Sequence, residues 1–103
     1  MAKKTPESKV KDRVVAVLKK HEAYYFFPTA GMVGFRTGVP DIVCCYLGQF
    51  IGIECKAGKA QPTGLQLQQL SNINAAGGIA LVINEDNIDA LDGLLGDLRE
   101  AAQ

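Results

Sequence analysis

Gly38-Val39-Pro40-Asp41-Ile42-Val43-Cys44-Cys45-Tyr46-Leu47-Gly48-Gln49-Phe50-Ile51-Gly52-Ile53-Glu54-Cys55-Lys56 holds two apolar runs parted by a short turn signal. Apolar, β-branched and aromatic residues bounded by glycine read as strands, here Asp41 to Tyr46 and Phe50 to Lys56. A turn centred on Leu47-Gly48 makes them a hairpin in which position 46 faces 49, and Asp41 then falls opposite Glu54. Register matters, because a one-residue slip sends every side chain to the other face. Glu54 and Lys56 leave the strand on one face, and Ile51, Ile53 and Cys55 on the other, the core side.

Around this hairpin the rest of the chain divides cleanly. Thr5-Pro6 reads as an N-cap followed by proline at the first helical position. Val10, Val14, Val17 and Leu18 then recur at helical spacing, predicting a helix over about 6 to 22. Tyr24 to Phe27 is a short aromatic strand, and residues 28 to 39, with Gly31, Gly34 and Gly38, form a loop. A second loop spans 58 to 64, followed by a helix over about 64 to 76 that Gly77-Gly78 stops. Five apolar residues, Ile79 to Ile83, suit a strand buried on both faces of a partly parallel sheet. Asn84 starts the last helix, with Ile88, Leu91, Leu95 and Leu98 as its apolar stripe. The order is helix, three strands, helix, strand, helix: an α/β fold with a mixed β-sheet flanked by helices.

The 103 residues amount to one domain, and the 48% apolar share is that of an ordinary globular protein. No apolar run approaches the roughly 18 residues of a membrane span. Residues 1 to 6 carry charge with no apolar segment behind them, so no signal peptide is expected and the expected location is cytoplasmic. Cys44, Cys45 and Cys55 match neither a zinc ribbon nor a redox pair and read as reduced core residues. Net charge is zero, yet residues 1–60 hold ten Lys or Arg against five acids, and residues 61–103 one against six. The asymmetry suggests that the N-terminal half faces a polyanion.

Planting a carboxylate and an ammonium in an apolar strand requires a reason, since burying either alone is costly. Opposed residues in a hairpin have Cβ atoms about 4.5 to 5.5 Å apart, close enough for Asp41 and Glu54 to share one cation. Two hard carboxylates without a histidine or thiolate ligand point to magnesium or manganese rather than zinc. Such an ion polarises a phosphodiester, and Lys56 beside it stabilises charge on the phosphate. The competing explanation is a plain carboxylate–lysine salt bridge on a half-exposed hairpin. Glu7 shares the inward stripe of the first helix, although an acid there is also favoured by the helix dipole alone. Gln66 faces the sheet with Leu70 and Ile73, where it joins the site or satisfies a buried backbone group. His21, the sole histidine, reads as a C-terminal dipole partner rather than a base. Lys9, Lys11, Arg13, Arg36 and Lys59 are the candidate phosphate contacts.

Taken together, Gly38-Val39-Pro40-Asp41, Glu54-Cys55-Lys56, the helix beginning near Gln66, and Ala75-Ala76-Gly77-Gly78 before an apolar strand resemble the VRR-NUC family of PD-(D/E)xK nucleases. The resemblance spans roughly residues 7 to 83. It implies a restriction-endonuclease-like fold in which Asp41 and Glu54 bind a divalent ion, the Cys55 carbonyl completes its shell, and Lys56 assists catalysis. It also supports Glu7 at the metal and Gln66 in the catalytic group. The implied activity is magnesium- or manganese-dependent DNA cleavage by a homodimer in a bacterial or phage-infected cytoplasm, with no organic cofactor. The implied substrate is a four-way (Holliday) junction. The alternatives are a flap or nicking nuclease acting on repair intermediates and an inactive nucleic-acid-binding module. Leu94, Leu95 and Leu98, with Gly93 and Gly96, offer a candidate dimer contact on the last helix.

Overall fold

The computed structural model describes residues 4–29 and 37–103. Helix α1 (Pro6–Lys20) opens at the expected cap, the Ser8 N–H donating to Thr5 Oγ1 at 3.1 Å, with Pro6 in its first turn. It closes two residues earlier than its periodicity suggests. Glu22 takes a left-handed φ of 60°, and the Ala23 N–H donates back to the Leu18 carbonyl, which turns the chain into the sheet.

Strand β1 (Tyr24–Phe26) is followed by β2 (Ile42–Tyr46), β3 (Gln49–Cys55), α2 (Gly64–Ala75), β4 (Ile79–Ile83) and α3 (Ile88–Ala101). The sheet order is β1-β2-β3-β4, antiparallel for the first two pairings and parallel for β3 with β4. In the hairpin Tyr46 pairs with Gln49 and Ile42 with Ile53, the register expected from the turn. Leu47 and Gly48 both have positive φ, 51° and 82°, the twist a two-residue hairpin loop needs. Among the described residues no helix is long and apolar enough to cross a membrane.

One sheet face is the core. Ile42, Cys44, Tyr46, Ile51, Ile53, Cys55 and Ile83 are buried there against Val10, Val14 and Leu18 of α1 and Ile88, Leu91 and Leu95 of α3. Helix α2 packs on the other face through Ile73. The contact requires Gly52: a Cβ there would lie 2.6 Å from Ile73 Cδ1 and 3.0 Å from Pro40 Cγ. Gly52→Val is therefore expected to lower stability by about 1–3 kcal/mol, the usual cost of overpacking. Urea denaturation checks this, and an unchanged midpoint would mean that α2 yields freely.

Two sequence expectations change. Only Ile83 of β4, the strand expected to be buried on both faces, is fully buried, because β4 is an edge strand of the described sheet. The last helix begins at Ile88, not Asn84. The Asn84 carboxamide oxygen instead accepts the N–H groups of Asp86 (2.8 Å) and Asn87 (3.2 Å), folding residues 84–87 into a side-chain-stabilised turn.

Candidate active site

Pro40 is buried and delivers Asp41 to the mouth of the hairpin, immediately before β2. There the Cys55 N–H donates to Asp41 Oδ2 at 2.8 Å, fixing the carboxylate across from the end of β3. Continuing the ladder one step beyond Ile42–Ile53 brings Asp41 opposite Glu54. Glu54 is only 2% exposed and is the one buried charged residue among those described. This burial does not fit the competing explanation, a salt bridge on a half-exposed hairpin, although Lys56 does lie beside Glu54. Helix α2 and Pro40 cover this face, so Glu54 sits in the interior rather than on a solvated surface.

Lys56 Nζ lies 3.5 Å from Glu54 Oε2 and 3.9 Å from Glu7 Oε1, with its own side chain largely covered. Lys56 therefore stands between two carboxylates, with Asp41 facing Glu54. The electrostatic consequence falls on Glu54, whose carboxyl is pushed up to about 7. Burial is the main cause and the charge of Asp41 the second; Lys56 opposes both without cancelling them. The thiol of Cys55, on the core face, is pushed up to about 12 by burial and then by Asp41 and Glu54, so it stays protonated and inert.

A cleft of about 180 Å³ opens beside these groups, lined by Thr5, Glu7, Ser8, Lys11, Asp41 and Cys55. Glu7 does not point inward as its stripe suggests. In the first turn of α1 it stands exposed at the rim, within reach of Lys56 but apart from the acidic pair. Among the described residues no group of three or more His, Cys, Asp or Glu side chains gathers closely enough to hold a metal ion. Asp41 and Glu54 are the two acids brought together.

Gln66 is partly buried, and its carboxamide oxygen accepts the Thr63 N–H at 2.9 Å while Thr63 Oγ1 accepts the Gln66 N–H at 3.2 Å. This capping box occupies Gln66 at the start of α2. Gln69 is partly buried and lines an apolar groove with Phe26, Val43 and Phe50.

The candidate phosphate contacts separate by their position around α1. Lys11 faces the cleft, whereas Lys9 and Arg13 line a neighbouring groove of about 280 Å³ with Pro6, Val10 and Glu85. Lys59 is exposed on the loop after β3, and Arg36 lies outside the described residues. His21 is remote from the cleft: it bonds Asp92 at 2.6 Å and meets the Tyr46 ring edge-on, tying α1 to α3 and β2.

Two contributors escaped sequence reasoning. Glu85 accepts the Gly58 N–H at 2.9 Å, anchoring the loop that follows Lys56. The Phe27 ring lies 4.4 Å from Lys11 Nζ. Neither pairing has a local sequence signal, since each joins residues far apart in the chain.

No protein-family model matches the sequence, and no curated protein is similar to it. Among solved structures, the chain is similar to a VRR_NUC domain protein, with a TM-score of 0.61 and 19% identity. The match covers 93% of this chain and 89% of that one. The likeness is one of fold: the mixed sheet and the order of elements are shared over nearly the whole of both chains.

Proposed function

We propose that this chain is a nuclease that hydrolyses DNA phosphodiesters with magnesium or manganese. The observation that carries the reading is the buried Glu54 carboxyl set against Asp41, with Lys56 alone to offset the pair. Such an arrangement favours an added cation, because two like charges in the interior repel unless one is bound. Asp41, Glu54 and the Cys55 carbonyl are hard oxygen donors and fit a magnesium-sized ion, which commonly uses one or two carboxylates from the protein. Glu7 would join at the rim. When bound, the ion supplies Lewis-acid polarisation of a phosphate oxygen.

The chain's own groups do the rest. The Cys55 N–H holds one Asp41 oxygen in place, so the carboxylate does not need to reorganise as substrate arrives. Lys56 stands beside Glu54 and stabilises negative charge accumulating on the phosphate during attack. Gln66, at the N-terminus of α2, would contribute to the catalytic group only by exchanging its capping bond for one to substrate. The fold shared with a VRR_NUC domain protein supports the same reading.

The proposed substrate is branched DNA, a four-way junction cut by a homodimer. Each chain carries a single Asp41–Glu54 pair, so paired cuts on two strands call for two chains, which a two-fold arrangement would supply. On α3, Leu91 and Leu95 are already spent on the core, leaving Leu94 and Leu98 partly exposed. Gly93 and Gly96 are open to close approach. Incubation with labelled single strands, duplexes, flaps and four-way junctions tests the proposal, in magnesium, manganese or EDTA. Cleavage that needs the metal and favours the junction supports it. Absence of cleavage even with manganese would leave a binding module. A monomeric mass by light scattering, with one strand cut per encounter, would favour the flap or nicking alternative.

Phosphate contacts by Lys9, Lys11, Arg13, Arg36 and Lys59 make a further prediction. With about five such contacts, log affinity should fall against log salt with a slope near −4 to −5. Fluorescence anisotropy across a salt series measures it. A flat dependence would remove these residues from the interface.

A further inference from the structure

Within the proposed nuclease cleft, Lys56 is already committed. Its ammonium lies between Glu54 and Glu7, where it offsets charges the protein itself supplies. A phosphodiester entering a cleft lined by Glu7 and Asp41 brings another negative charge, and a cation free of carboxylates is needed to receive it. Lys11 meets that requirement. It lines the same cleft and forms no ion pair among the described residues. Although Glu7 lies four residues earlier on α1, the spacing at which such pairs form, the ion contact of Glu7 is to Lys56.

What holds Lys11 is an aromatic face. Its Nζ lies 4.4 Å from the centre of the Phe27 ring, and Phe27 is steadied by Tyr25, whose ring centre is 5.8 Å away. A phenyl quadrupole orients an ammonium without neutralising it, leaving its charge and N–H donors available. Lys9 and Arg13 line the neighbouring groove with Glu85 rather than this cleft, and the aromatic contact is made by Lys11.

We propose that Lys11 is the group that takes a non-bridging oxygen of the phosphate lying in the cleft beside Asp41, and that Phe27 is its positioning residue. The assignment rests on the nuclease reading, and the experiment is chosen so that the two fail separately.

Steady-state cleavage of a labelled DNA substrate in magnesium is measured for Lys11→Met, Phe27→Leu, Phe27→Tyr, the Lys11→Met/Phe27→Leu double variant, and Lys56→Met. Lys11→Met is expected to lower kcat/KM by about 10- to 100-fold, the range of one hydrogen bond to a charged group. Phe27→Leu should lower it less, and Phe27→Tyr should keep wild-type activity because a phenol ring also presents a π face. In the Lys11→Met background, Phe27→Leu should have no further effect, since a residue acting through another is not additive with it. Wild-type cleavage by Lys11→Met while Lys56→Met is inactive would overturn the Lys11 assignment and spare the nuclease reading. An undiminished Phe27→Leu loss in the double variant would overturn the positioning role. Wild-type cleavage by Lys56→Met would place the active site elsewhere, and no cleavage by any of the proteins, wild type included, would remove the nuclease reading; either outcome takes this assignment with it.

Discussion

Replacing Lys56 by methionine is expected to lower the rate of DNA cleavage by at least about 100-fold, the loss seen when one preorganised electrostatic group is removed from a transition state. Methionine keeps most of the length of a side chain that is largely covered, so the change removes charge more than volume. Glu54→Ala is expected to be at least as damaging to activity, because it takes away half of the acidic pair. The two variants should differ in stability. Lys56→Met leaves Glu54 and Asp41 facing each other without their cation, whereas Glu54→Ala relieves that repulsion and leaves Lys56 with Glu7. Single-turnover kinetics and circular dichroism on the same samples distinguish the effects. Near wild-type cleavage by either variant, with an unaltered spectrum, would show that the site lies elsewhere.

Without divalent ions, the protein is expected to lose stability as pH rises. Glu54 titrates near 4.5 in an unfolded chain and near 7 when folded, chiefly because it is buried. The folded state thus holds this proton more tightly, and unfolding releases it throughout that interval. The contribution of Glu54 is complete below pH 4.5, falls between 4.5 and 7, and is lost above. At about 1.4 kcal/mol per pH unit, the contribution is on the order of 3 kcal/mol. Urea midpoints at pH 5 and pH 8 should show the fall. Glu54→Gln, which cannot ionise, should shrink it, and magnesium at pH 8 should reverse it by neutralising the pair. A fall of equal size in Glu54→Gln would assign the effect to other groups.

The parts of this site that were legible in the sequence are those governed by local rules. A two-residue turn at Leu47-Gly48 fixes the pairing of everything behind it, so Asp41 could be set against Glu54 by counting. Alternation then separated Glu54 from Cys55. What the sequence hid depends on layers rather than strands. Nothing local reveals that α2 and Pro40 pack on the sheet face that carries Glu54, so a salt bridge on a half-exposed hairpin stayed open as the competing explanation. Helical spacing put Gln66 toward the sheet, but at the third position of α2 a glutamine after a threonine cap bonds the cap instead. Five apolar residues in β4 suggested a strand buried on both faces, yet apolar content alone does not separate such a strand from a partly covered edge strand. The Lys11–Phe27 contact needs the turn after α1 to bring β1 back along the helix.

The most direct test of the central claim, that Asp41 and Glu54 jointly hold the divalent ion on which cleavage depends, is calorimetric titration of manganese into the metal-free protein at pH 8. Wild type should bind the ion, and Asp41→Asn and Glu54→Gln should each lose that binding while remaining folded. The carboxamide oxygen in Asp41→Asn can still accept the Cys55 N–H, so lost binding there would report on charge rather than on the turn. Binding of equal strength in all three proteins would place the metal, and with it the chemistry, away from this hairpin.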